Sequence, residues 1–171
     1  MRFVQTWRSS GTRSVLLILV ICLFTSVCWA ESPNTIIALH TVELNNKGKP
    51  ITRTYAERYN RVVLTNQESD DERVVEYGGL ATQIYLEPGV YCFKSVYINS
   101  SQFLGIVNPL CFLVEAEGIT NAGTWVIGTK VTGSNWYAAM VDVKANYDEL
   151  AGILGVQPGA AATVLKPKPV Q

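Results

Sequence analysis

Leu86-Glu87-Pro88-Gly89-Val90-Tyr91-Cys92-Phe93-Lys94-Ser95-Val96-Tyr97-Ile98 carries the strongest fold signal in this chain. Its second half is rich in β-branched and aromatic residues, the composition of a strand. Proline presets φ for the second position of a type II turn, and glycine takes the positive φ needed at the third. Upstream, Leu80–Leu86 alternates, with Leu80, Thr82, Ile84 and Leu86 on one face and Ala81, Gln83 and Tyr85 on the other. Two strand-like runs joined at such a turn predict a hairpin.

Working outward, further strands are expected at Thr35–Leu44, Arg58–Thr65, Arg73–Tyr77, Pro109–Ala116, Thr124–Val131 and Asn135–Lys144. The segment Thr54–Tyr59 fits a helical turn as well as a strand. Asn45–Pro50, Gln67–Glu72 and Asn99–Asn108 read as loops, the last with an N-x-S sequon at Asn99–Ser101. Thr132-Gly133-Ser134 suits a hairpin loop. Tyr147–Val156 places Leu150, Ile153 and Leu154 at helical spacing, with Asn146 or Asp148 as cap. This pattern predicts an all-β chain: an antiparallel β-sandwich of about eight strands with one short C-terminal helix.

The N-terminus reads as a targeting segment. Met1–Ser14 has three arginines and no acid, Val15–Val27 is apolar, and Cys28-Trp29-Ala30 ends on a small residue. This is the form of a secretory signal peptide over residues 1–30. The apolar run is short against the ~20 residues of a spanning helix. Lipidation of Cys28 is disfavoured because Val27 stands where a lipobox has a small residue. The expected organisation is a signal peptide at 1–30, a sandwich at 31–156 and a flexible Pro/Ala-rich tail at 157–171. The mature chain is then periplasmic or secreted, with no stable membrane span.

Three of the fourteen basic residues fall in that segment, against fourteen acids in the rest, so the exported part carries about −3. A mildly acidic chain without a basic patch argues against nucleic acid as partner. One histidine, His40, without a nucleophile elbow does not suggest a hydrolase triad. The acidic run Glu68–Glu72 lacks the order of an EF-hand loop, and a zinc site would need more ligands. No catalytic residue, metal or cofactor is assigned. The candidate contacts for a ligand or partner are the aromatics Trp136, Trp125 and Phe103, which suit an envelope protein or a cell-wall glycan.

The residues Pro88-Gly89-Val90-Tyr91, then Val114–Thr120, Gly123 and the strand opening at Trp125, resemble exported bacterial β-sandwich domains of prealbumin-like type. The resemblance spans Leu80–Lys144, with Glu117 interrupting the usual Ala-Gly step. It implies a sandwich architecture and an envelope setting, and no reaction. The expected function is a non-catalytic structural or protein-interaction module, with a carbohydrate-binding protein or inhibitor of a cell-wall-degrading enzyme as the alternative.

Cys92 and Cys111 are the only cysteines beyond the targeting segment. Two thiols in an oxidising compartment favour a bridge. Alternation places Cys92 with Lys94, and Cys111 with Glu115, on faces opposite Tyr91, Phe93, Tyr97 and Phe112. A cross-strand bridge on the outer face follows if the strands are neighbours. Closing a loop of about 18 residues contributes about 3 kcal/mol. Alkylation of the unreduced exported protein, read by mass spectrometry, should label neither cysteine; labelling of both would remove the bridge.

Overall fold

The computed structural model describes residues 31–51, 61–77, 81–132 and 135–167. The chain divides into Met1–Glu31 and Ser32–Gln171, and the description concerns the second unit. The expected signal peptide, the Thr54–Tyr59 turn, Gly133-Ser134 and the last four residues lie outside the described residues. The elements are β1 (Thr35–Glu43), β2 (Arg61–Asn66), β3 (Glu72–Glu76), β4 (Thr82–Ile84), β5 (Gly89–Tyr97), β6 (Phe103–Gly105), β7 (Cys111–Val114), β8 (Thr120–Thr132), β9 (Asn135–Lys144), α1 (Tyr147–Leu154), β10 (Ala160–Ala161) and β11 (Val164–Leu165). The chain is all-β with one short helix, as its patterning predicts, but with eleven strands among the described residues rather than about eight.

The strands form two sheets. In the first, β1 lies between β4 and β8, and β9 and β10 share the far edge of β8. In the second the order is β3-β2-β5-β7-β11, with β6 taking the rest of the β5 edge beside β7. The expectation of a wholly antiparallel arrangement needs correction. Both β1 and β10 run parallel to β8. A parallel neighbour needs a long crossover, and the passage of the chain through the second sheet supplies it for β1 and β8. Strand β1 is covered on both faces, so it reads as the near-continuous apolar run TIIAL.

The hairpin expected at Pro88-Gly89 is not formed. Strand β4 pairs with β1 in the first sheet, whereas β5 pairs in the second. Pro88-Gly89 instead carries the chain across the core. Asn34 clamps the crossing: its Nδ2 donates to the Leu86 carbonyl at 2.8 Å, and its Oδ1 accepts from the Leu86 N–H at 3.0 Å. Gly89 has φ 145°, and a Cβ there would lie 2.9 Å from Asn66 Nδ2.

The core is shared between the sheets. Trp125 of β8 packs against Phe93 of β5 at 4.6 Å between ring centroids and against Phe112 of β7 at 5.7 Å. Its indole Nε1 donates to the Ala122 carbonyl at 2.8 Å, so a fully buried tryptophan leaves no polar atom unpaired. Tyr91, Ile37, Leu39, Leu64 and Ile127 extend this cluster. Helix α1 adds a second, smaller one, in which Leu150 and Ala151 cover Ile36 and Ala38 on the opposite face of β1.

Two β-bulges overturn the simple face assignments. Val63 pairs with Ser95 and Leu64 with Phe93, so Lys94 is an extra residue in β5. Beyond it the alternation resets: Val96 is buried in the core, and Tyr97, expected beside Tyr91 and Phe93, turns outward. In β9 the extra residue is Val141, because Val126 pairs with Asp142 and Ile127 with Met140. Ala138 and Met140 therefore face the core, although they share their alternation with the charged Asp142 and Lys144.

Residues 157–167 are not the free tail their composition suggests. β10 pairs with β8 and β11 with β7, with buried Ala162 between them, so this segment stitches one sheet to the other. Composition suggests mobility because two-residue strands carry too few side chains to show a period. Truncating Trp125 to alanine empties the junction of the sheets and should cost about 3–5 kcal/mol, read as a lower urea midpoint at unchanged slope. An effect under ~1 kcal/mol would mean that the aromatic cluster does not hold the sheets together.

Candidate functional site

The structure joins Cys92 to Cys111 as a disulfide, directly opposite each other on β5 and β7. Neither belongs to the aromatic core, in keeping with their alternation, yet both are buried rather than solvent-facing. The bridge pins the middle of the second sheet.

The three candidate contact aromatics separate. Trp125 is fully buried, which corrects its assignment as a contact residue: β8 has a bulge of its own, because Ile36 pairs with Asn121 and Ala38 with Thr124, and beyond this extra residue at Gly123 Trp125 faces inward between Phe93 and Phe112. Phe103 and Trp136 remain exposed, at 60% and 52%, and Val107 joins them at 68%.

All three stand on the segments of one seam, Phe103 and Val107 on its outer side and Trp136 at the start of β9. Asn99–Asn108, expected as a loop, contains β6, and its continuation reaches the first sheet. Ile106 forms a parallel bridge with Ala138, and the Val107 N–H donates to the Ala138 carbonyl at 2.9 Å. Asn108 extends the seam in the manner of a backbone segment: its Nδ2 donates to the Met140 carbonyl at 2.9 Å, and its Oδ1 accepts from the Met140 N–H at 2.7 Å. Leu104 and Ile106 point into the core, which leaves Phe103 and Val107 on the outer side. Trp136 shares the alternation of Ala138 and Met140 but lies beyond the end of the core. The alternation of Leu104 and Ile106 with Gly105 was the available signal for this strand; its shortness masked it.

A second cluster stiffens the outer side of the seam. The Phe103 ring lies 6.0 Å from that of Tyr97, its cross-strand partner. The Arg61 guanidinium lies 4.3 Å from the centre of the Tyr97 ring, and its Nη2 donates to the Ser100 carbonyl at 3.0 Å. Such cation–π contacts at exposed sites contribute about 0.5–1 kcal/mol. In the β5–β6 turn, Asn99 Oδ1 accepts from the N–H groups of Ser101 and Gln102 at 2.9 and 2.8 Å. Phe103 is thus presented from a fixed hairpin.

Elsewhere, no group of three or more His, Cys, Asp or Glu side chains among the described residues could hold a metal ion. The acidic segment Glu68–Glu72 is a β2–β3 turn organised by Asn66 Oδ1, which accepts from the Glu68 N–H at 2.8 Å. Glu72 forms an ion pair with Lys94. Burial pushes the Tyr77 phenol up to about 12, against the opposing effect of the Thr41 hydroxyl. Among the described residues no helix is long and apolar enough to cross a membrane.

His40 lies on the central strand β1 and is held below its ordinary value of 6.5, first by burial and then by the charge of Lys144. A base with a depressed folded pKa binds its proton more readily when the chain is unfolded. Its contribution is therefore complete above about pH 6.5 and is lost as pH falls below it. NMR titration of this single histidine should give a midpoint below 6.5, moving upward in Lys144→Ala. A midpoint unmoved by that substitution would remove Lys144 as a cause. Comparisons with protein-family models, with curated proteins and with solved structures give no match.

Proposed function

We propose that this chain is an exported β-sandwich of prealbumin-like type that acts as a protein-interaction module of the cell envelope, with no catalysis of its own. The observation that carries this reading is the exposure of Phe103 and Val107 on the outer side of the β6–β9 seam, with Trp136 exposed at the start of β9. Large aromatic side chains on a rigid support are the usual anchors of protein interfaces. The buried disulfide supports an oxidising, exported setting.

A photo-crosslinking amino acid at Val107, in the cells that make the protein, is expected to yield one defined protein adduct. The same group at Ser69, on the β2–β3 turn, should not, and Phe103→Ala should abolish the Val107 adduct. Identical patterns from both positions would overturn the reading.

A carbohydrate-binding role is favoured by one further observation: the Tyr97 and Phe103 rings flank the turn that carries the side-chain amides of Asn99 and Gln102, with Asn99 Nδ2 donating to Gln102 Oε1 at 2.6 Å. Rings beside amides suit stacking and hydrogen bonding to a sugar. Quenching of tryptophan fluorescence by cell-wall glycan fragments, or loss of lysozyme activity on titration, would favour this role over the first.

A further inference from the structure

The outer side of the first sheet holds a buried cation. Lys130 is only 4% exposed and stands on β8 opposite Tyr137 of β9. Its ammonium donates to Asn46 Oδ1, and among the described residues it has no carboxylate partner. An amide can accept one of its three N–H groups but cannot offset its charge. Buried ammonium groups are costly unless a counter-charge accompanies them. Glu43, the acid that precedes this turn on β1, pairs in register with Thr129 rather than Lys130 and is exposed.

The surroundings of Lys130 are built, not loose. Asn45 Oδ1 accepts from the N–H groups of Lys47 at 2.8 Å and Lys49 at 3.0 Å, and the Asn45 N–H donates to the Lys49 carbonyl at 2.9 Å. This locks the turn that presents Asn46. Gly48, at φ 71°, brings the turn over the Tyr137 hydroxyl, which would lie 3.4 Å from a Cβ at that position. Lys47 and Lys49 are exposed on the same turn.

We propose that Lys130 and the Asn45–Lys49 turn form a binding site for a phosphate group. Lys130 supplies the central charge, the Asn46 amide and the Tyr137 hydroxyl supply neutral donors, and Lys47 and Lys49 form a cationic rim. Two exposed lysines on the turn and a buried one bonded to it supply more positive charge than a single carboxylate would offset. This inference is independent of the seam and of the function proposed for it.

The test compares thermal unfolding of the purified protein in inorganic phosphate and in chloride at matched ionic strength, with NMR of the Gly48 amide. With a Kd of about 1 mM, phosphate at about 10 mM raises the ratio of folded to unfolded protein about 11-fold. Lys130→Met, which keeps the apolar stem, should fold and lose this response. Tyr137→Phe, which keeps the ring, should weaken binding several-fold and reports on the site if the first variant does not fold. Glycerol phosphate and vesicles of phosphatidylglycerol distinguish a free phosphate ester from a lipid headgroup. No saturable response beyond chloride, or an undiminished response in Lys130→Met or Tyr137→Phe, would overturn the proposal.

Discussion

The stacking of Trp125 on Phe93 and Phe112 is the contact on which the rest of this structure depends. It joins β8 of one sheet to β5 and β7 of the other. A two-sheet chain has no core until the sheets meet, and aromatic side chains bury the largest area per residue. The internal bond from the indole to Ala122 makes full burial affordable, since the N–H would otherwise be an unpaired donor.

Holding the sheets together also requires the chain to pass between them. Pro88-Gly89 is one such passage, and the two hydrogen bonds of Asn34 to Leu86 fix where it begins. The segment from Gly159 to Leu165 is another, linking β8 to β7 around the buried Ala162. A third link is the bridge from Ile106 to Ala138. The seam that exposes Phe103, Val107 and Trp136 is therefore a consequence of how the sheets are joined. The same connectivity explains a parallel pair in a chain of short strands: β1 and β8 become neighbours only after the second sheet has been traversed.

The exposed aromatics and the buried Lys130 show how far local pattern reaches. Phe103 and Trp136 could be nominated from residue type, but Trp125 could not be told from them, because its environment depends on a bulge. Lys130 was not singled out by its sequence. A lysine in a strand reads as solvent-facing, and only the fold of the Asn45–Lys49 turn over β8 buries it.

The amino-acid sequence by itself determined the all-β class, the strand at Gly89–Tyr97, the β8–β9 pair, the helix at Tyr147–Leu154 and the pairing of Cys92 with Cys111. These follow from period-2 and helical spacing, from turn residues, and from there being two cysteines beyond the N-terminal segment. The tertiary structure decided how the other strands pair, where the bulges at Lys94, Gly123 and Val141 reset the faces, and that residues 160–165 pair at all. The physical reason is the short memory of a strand pattern. Alternation records burial only within an unbroken ladder, one extra residue reverses it, and a partner distant in sequence leaves no local mark.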